Sequence, residues 1–325
     1  MRLIRKIISK LYRHTYSATA SIFLRRKKKK DFKNVYDKMK ALYLENKGHY
    51  NFLEFVMPLW QQNMHEIEQL FLNDFTISFL NYHVIKTTMF MYTFKDWRNI
   101  QKKLIAQYFT KKRARNILRE YNVGKPLLND IEYVTSGNSI HHLYHAIKFF
   151  TETKTKASDF DVILEVGGGY GNMAKIFKSL NEKSTYIIID IPIFSYIQAV
   201  YLKTIFGEKA VHMIQGDKID IHMGCINLIP LDKRNIYAVA KAIDRVDLFI
   251  STWALSESNE AMQDLIRQLE YFKSQYLLLA YQKSYKSYPF AENVQNVTKT
   301  YKKVFNMETE YLKNNFYLFC KNTEK

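Results

Sequence analysis

The chain has 325 residues, 47% hydrophobic and 15% aromatic, with only 10 glycines and 5 prolines; such a composition can bury a sizeable core and excludes a disordered chain. Its formal charge is +18, yet residues 1–30 supply eleven Lys and Arg and no acid, which leaves +7 for the other 295 residues. The excess is the property of one terminal segment, which speaks against a specific nucleic-acid partner held by a basic folded body.

In that segment Leu3, Ile4, Ile7, Ile8 and Leu11 recur at helical spacing with basic residues between them, the pattern of a basic amphipathic helix. Two readings stand. The helix can lie on an anionic membrane, where the basic cluster at 25–30 adds about 1 kcal/mol per charge, or the segment is a solvated tail. Lys10, Arg13 and His14 interrupt the apolar stretch, unlike a signal peptide. From 31 to 152 the pattern predicts an α-helical domain on the acceptor side, with long helices in NVYDKMKALYLEN and DWRNIQKKLIAQYFTKKRARNILREYN. Residues 75–94 have spanning length but carry Asn81, His83 and Lys86, so a buried core helix is expected and not a membrane span. The turn NVGKP at 122–126 breaks the helical pattern, and a further helix over about 140–151 leads to the polar linker TETKTKASD.

From 153 to 325 the rhythm changes. DVILEV, TYIIID, AVHMI, VDLFIST and YLLLAYQ alternate with the helical stretches GNMAKIFKSL, IFSYIQAVYLKTIF and EAMQDLIRQLEYF. Strands apolar on both faces, alternating with helices, predict an α/β fold with a mostly parallel sheet. Two strand-like pieces near 303–308 and 316–320, separated by a polar turn, predict an antiparallel hairpin at its edge. Cys225 and Cys320 lie far apart and form no C-x-x-C pair, which fits a reducing cytoplasm and no zinc site.

The stretch ILEVGGGYGN at 163–172 follows the first of these strands. A glycine turn there lets a ligand approach bare backbone. The dinucleotide pattern G-x-G-x-x-G fails, because Asn172 stands where the third glycine belongs. The pattern E-x-G-x-G-x-G is met by Glu165, Gly167, Gly169 and Gly171. Asp190 ends the next strand, where a carboxylate can accept both hydroxyls of a ribose, and VHMIQGD reads as a third strand ending in Asp217. This combination resembles the class I methyltransferases that use S-adenosylmethionine (SAM). The resemblance implies a Rossmann-like sheet and SAM as cofactor, held by Glu165, Gly167, Gly169, Gly171, Asp190, Asp217 and Ser251.

After the fourth strand the chain reads STWALSES, with no Asp/Asn-Pro-Pro-aromatic tetrapeptide, and neither cysteine follows a proline; the base-methylating types that need those residues are thereby set aside. DLFISTWALSES, taken with EVGGGYGNMAKIF and YIIIDIPIFSYIQAVYL, resembles a bacterial family of sugar O-methyltransferases associated with surface polysaccharides. The matching residues are Asp190-Ile-Pro192, Tyr196, Tyr201 and Leu255-Ser-Glu257, with a weaker match at Thr135-Ser-Gly-Asn-Ser139. The resemblance spans roughly 130–320 and implies a sugar acceptor in a glycan or glycan precursor, met in the cytoplasm or at the inner membrane face. Catechol- and flavonoid-type enzymes place a histidine base where this chain has Leu255-Ser256-Glu257, so that role does not carry over. Candidates for the base are Glu257, His145 and His141. The two histidines share a helical face at i,i+4, a spacing that also suits a metal, but no nearby acid pair completes such a site and no metal is expected. Trp253 stands where acceptor and cofactor would meet, either to stack on a sugar ring or to cover the adenosine or pack beneath it. A methyltransferase of non-sugar small molecules and a non-catalytic scaffold of the same fold are the alternatives.

Overall fold

The computed structural model describes residues 29–90, 95–214 and 219–324; the segment read as amphipathic, residues 1–30, lies outside them but for its last two residues. Five helices lead: α1 (Lys29–Asn46), α2 (Pro58–Asn73), α3 (His83–Met89), α4 (Lys95–Tyr108) and α5 (Lys111–Ile117). A small ribbon, β1 (Leu128–Asp130) with β2 (Thr135–Ser136), opens into α6 (Gly137–Thr153). Then come β3 (Val162–Val166), α7 (Asn172–Leu180), β4 (Thr185–Asp190), α8 (Pro192–Phe206), β5 (Val211–Met213), β6 (Ile226–Pro230), α9 (Lys233–Ala242), β7 (Val246–Thr252), α10 (Glu260–Gln268) and β8 (Ser274–Gln282). β9 (Tyr301–Glu308) and β10 (Asn315–Asn322) close the chain.

The main sheet has the order β5-β6-β4-β3-β7-β8-β10-β9. Its first six strands are parallel, and β10 runs antiparallel between β8 and β9. This is the expected α/β arrangement, a Rossmann-like, mostly parallel sheet with an antiparallel edge hairpin and preceding helices. Every residue of β4 and β6 is buried, which is why both read as unbroken apolar runs. α8 is buried on nearly all sides because the sheet covers one face and α1 the other, where the Tyr43 and Tyr196 rings lie 5.0 Å apart. One apolar cluster runs from Phe32, Phe71 and Phe79 through Tyr196 and Tyr201 to Phe319, so helices and sheet share a core.

The structure departs from the sequence reading at several points. β6 and α9 were not foreseen. β6 inserts between β4 and β5, so the strand leading toward Asp217 stands at the outer edge, and Asp217 itself lies outside the described residues. The run INLIP is only five residues long and ends in a proline, which serves as the last strand residue, opposite Asp190. Residues 75–94 do not form one helix. The described part breaks into a helical turn at Phe79–Asn81 and the short α3, with Tyr82 donating to the Asp74 carbonyl at 2.7 Å and Thr88 to that of Val84 at 2.6 Å. The long helical stretch after Asp96 splits at Thr110, whose hydroxyl caps α5 by accepting from Arg113 N at 3.3 Å. α10 stops at Gln268. Glu270–Lys273 instead form a left-handed turn with φ of 48, 51, 56 and 53°, at about 1–2 kcal/mol of strain per residue, and the turn drives Tyr271 and Phe272 into the core.

Helices and sheet are locked by a buried ion pair. Lys175 on α7 donates to Glu120 at 2.9 Å, both side chains being 1% exposed. The other Glu120 oxygen accepts from Ser136 and Ser139, each at 2.6 Å, and from Thr135 at 3.1 Å. Burial alone would raise the Glu120 carboxyl, but Lys175 and the serine hydroxyls outweigh it and hold the group below its usual value. Lys175→Met strands this charge and is expected to cost about 3–5 kcal/mol in urea unfolding, with the Glu120→Gln/Lys175→Met double variant losing less than the sum of the singles. Additive losses would show that the two groups do not act as a pair.

Candidate functional site

The strand order reverses between β3 and β7, and in such sheets a crevice opens beyond the carboxyl ends of the strands. There the chain forms a cavity of about 580 Å³. Its floor is the turn after β3 with the ends of β4 and β7; its roof is built from the start of α2, the end of α3 and one face of α6.

The glycine turn is shaped by two kinds of constraint. Gly167 (φ 82°) packs so closely on the turn after β7 that a Cβ would lie 2.0 Å from Ala254 Cβ. Gly169 (φ 57°) has room for a side chain, since an added Cβ would make only ordinary contact with Met89 at 3.8 Å. Gly167 and Gly169 line the cavity. Gly171 is not among its lining residues; it packs α7 against Leu202 of α8. Asn172, the residue that spoils the dinucleotide pattern, binds the turn to α6: its amide donates to His142 Nδ1 at 3.0 Å and accepts from Ser139 at 3.2 Å.

Asp190 ends β4 beneath this turn. Its carboxylate accepts from Ile191 N at 2.8 Å, Gln198 Nε2 at 2.7 Å and Gly169 N at 3.1 Å. Burial pushes the group up to about 7 against the pull of those donors. Glu165, 2% exposed, accepts from the Tyr186 hydroxyl at 2.9 Å; burial, with the charge of Asp190, lifts it to about 8. Ser251 does not reach the cavity wall. Its hydroxyl donates to Val166 O at 3.1 Å and accepts from Leu255 N at 3.0 Å, tying the end of β3 to the turn after β7.

Across the cavity, Trp253 takes a left-handed backbone (φ 65°), a strained state that persists only where the surroundings impose it. Its indole donates to Asn315 at 2.6 Å and its ring stacks on His141 at 5.8 Å. One turn on, Glu257 borders the cavity and accepts from the Trp60 indole of α2 at 3.2 Å. Enclosure pushes Glu257 up to about 7, Trp60 opposing. His141, His142 and His145 project from α6 into the same space. Burial holds all three neutral, His142 down at about 3 and the others well below the usual imidazole value. Gln101 donates to His141 Nδ1 at 2.8 Å; His145 Nδ1 is bonded to the Tyr317 hydroxyl, which meets that of Tyr311 at 2.8 Å. Both Nε2 atoms lack a partner among the described residues. No group of three or more His, Cys, Asp or Glu could hold a metal ion among those residues.

Glu165, Gly167, Gly169, Asp190, Glu257, His141 and His145 thus meet in one cavity, while Gly171 and Ser251 support it from outside. The sequence reading missed Trp60, Gln101, Asn138, Tyr170 and Asn172. The signal available for Trp60 was its rarity, as one of three tryptophans. The others are ordinary polar or aromatic residues whose roles depend on contacts distant in sequence, such as Asn138 donating to Tyr170 at 3.1 Å.

Fold and site together define a Rossmann-like α/β protein with a glycine-turn cavity at the switch point of its sheet. No protein-family model matches the chain, and neither does any curated protein. Among solved structures it is similar to magnesium protoporphyrin IX methyltransferase (ChlM) from Synechocystis PCC 6803 with bound SAM, at 11% identity and TM-score 0.39 over 69% of this chain and 97% of that one. It is also similar to a mutant of MtNAS in complex with S-adenosylmethionine (10%, TM-score 0.40, 90% and 96%) and to the 16S rRNA methylase ArmA (16%, TM-score 0.34, 71% and 100%). No described helix is long and apolar enough to cross a membrane.

The two glycines separate packing from access. Gly169→Ala is expected to cost only left-handed strain, about 1–2 kcal/mol, whereas Gly167→Ala adds a backbone-imposed clash with Ala254 and should lower the melting temperature much further. Equal thermal melts of the two variants would contradict this division.

Proposed function

We propose that the chain is a SAM-dependent O-methyltransferase whose acceptor is a sugar hydroxyl of a glycan or glycan precursor. One observation carries the reading: a single cavity collects Glu165, Gly167, Gly169 and Asp190 on one wall and Trp253, Glu257, His141 and His145 on the other. The residues fit the cofactor. Gly169 presents bare backbone to the cavity, and Asp190 stands at the strand end where an acid can accept ribose hydroxyls. Gly167–Gly169 and Asp190 would hold the nucleoside and amino-acid parts, with Glu165 beside them. Bound there, SAM supplies a methyl group on a sulfonium, an electrophile for in-line attack by oxygen.

The chain's own residues then have three tasks. Trp253 and the aromatic wall orient the acceptor ring, and alignment is the largest share of catalysis in such a displacement. The roof formed by α2 and α6 keeps water away. Glu257 takes the proton as the acceptor hydroxyl attacks; a base whose pKa lies near 7 suits that role, and Trp60 holds the carboxylate in place. The sugar reading is supported by the resemblance of DLFISTWALSES and DIP, and by aromatic surface beside hydroxyl-binding groups.

Calorimetric titration with SAM tests the reading. The wild type is expected to bind, and Asp190→Ala about tenfold to a hundredfold more weakly, as two charge-assisted hydrogen bonds are lost. A folded wild type that binds no SAM would sink the proposal. In the pH–rate profile Glu257 is protonated and inactive below its pKa of about 7, so kcat/KM should rise with pH through that value and then level. Glu257→Gln should lose about 10²–10⁴-fold in rate together with this limb. His141 and His145, neutral well below that range, contribute no limb near 7, whereas Asp190 and Glu165, raised to about 7 and about 8, can add limbs of their own; a Glu257→Gln variant that keeps the wild-type rate at saturating SAM and at a pH above these limbs would remove Glu257 as the base.

A further inference from the structure

The cavity has an unexpected charge. In a chain of formal charge +18, none of its lining residues is Lys or Arg among the described residues, while Glu165, Asp190 and Glu257 are all on its wall. The imidazoles that could have served as cations are those of His141, His142 and His145, and burial keeps them neutral. The N-terminus of α7 favours an anion, but it lies at the glycine turn, on the wall assigned to the methyl donor. Against Trp253 and Glu257 nothing is present among the described residues to compensate a phosphate or a carboxylate. An anion placed there would lose its water and meet no compensating charge among the described residues.

What the acceptor wall does offer is suited to hydroxyls. His141 and His145 sit with ring centroids 4.1 Å apart. Each has its Nδ1 engaged, by Gln101 and Tyr317, and each keeps a buried, unpartnered Nε2. The Gln101 amide faces Nδ1 of His141, so Nε2 is the ring nitrogen left to a ligand. Unpaired buried polar atoms are costly unless a ligand satisfies them, and two neutral ones side by side match a pair of ring hydroxyls better than an anion. Tyr285, Tyr288, Trp60 and Trp253 add apolar faces to the same wall.

We propose that the acceptor group entering the cavity is an uncharged, hydroxyl-bearing ring, and that any phosphate or carboxylate of the acceptor stays outside it. This rests on the reading of the cavity as a methyltransferase site and narrows its substrate class. A nucleotide- or lipid-linked acceptor must then reach in with a neutral sugar while its phosphates remain at the mouth, and a uronic acid is not the methylated ring.

The test uses the full chain saturated with S-adenosylhomocysteine, whose own binding is first measured by calorimetry. Saturation-transfer NMR titrations compare methyl glycosides of the gluco, galacto and manno series with the corresponding uronic acids and 6-phosphates. The neutral member of at least one series is expected to bind, and its charged partners roughly tenfold or more weakly. Charged partners that bind equally or better overturn the inference, and so does failure of every neutral ring to bind. A chain that binds no S-adenosylhomocysteine but still discriminates the pairs would remove the methyl-donor reading and leave the neutral site standing.

Discussion

The buried contact between Lys175 and Glu120 is the constraint on which the rest of the site depends. An ion pair with both partners 1% exposed has given up nearly all its hydration, a loss that mutual attraction offsets only when the remaining hydrogen-bonding capacity is filled. Here Thr135, Ser136 and Ser139 fill it. These residues are β2 and the first turn of α6, with Ser136 as the helix cap, so the polar knot fixes where that helix starts and which face it turns to the cavity. Asn172 and Tyr170 of the glycine turn hold the same helix through Ser139, His142 and Asn138. The ligand-facing turn and the histidine face are therefore positioned by a single network, although they come from different parts of the chain.

A second theme is the use of carboxyl groups without cations. Glu165, Asp190 and Glu257 are matched with a phenol, backbone N–H groups, an amide and an indole, and burial raises all three. Hydrogen-bond donors of this kind fix the orientation of a carboxyl group without neutralising it. Under the proposed function such groups serve an incoming ligand: Asp190 would exchange backbone donors for ribose hydroxyls, and Glu257 would take up the acceptor's proton.

Much of this was legible in the sequence, for identifiable reasons. Strands buried on both faces announce themselves as apolar runs, and DVILEV, TYIIID and VDLFIST all fall on strands. The E-x-G-x-G-x-G register could be read because positive φ selects glycine at 167, 169 and 171, and the position of Asp190 because it ends an unbroken apolar run. Gly171 obeys the same pattern but serves the packing of α7 on α8, so spacing alone cannot separate ligand contact from helix packing. β6 escaped because five residues ending in proline resemble a loop. The left-handed turn at Glu270–Lys273 escaped because its residues are ordinary helix formers and only tertiary burial of Tyr271 and Phe272 reverses their preference. The pairing of Trp60 with Glu257 joins residues 197 positions apart, and no local pattern encodes it.

A crystal structure of the chain with S-adenosylhomocysteine tests the central claim most directly. It should show the ribose hydroxyls on Asp190, the amino-acid portion over Gly167–Gly169, and the sulfur directed toward the wall formed by Trp253, Glu257 and the α6 histidines. A ligand seated elsewhere, or one that leaves Asp190 bound only to the glycine turn, would contradict the assignment of this cavity as the place where methyl donor and acceptor meet.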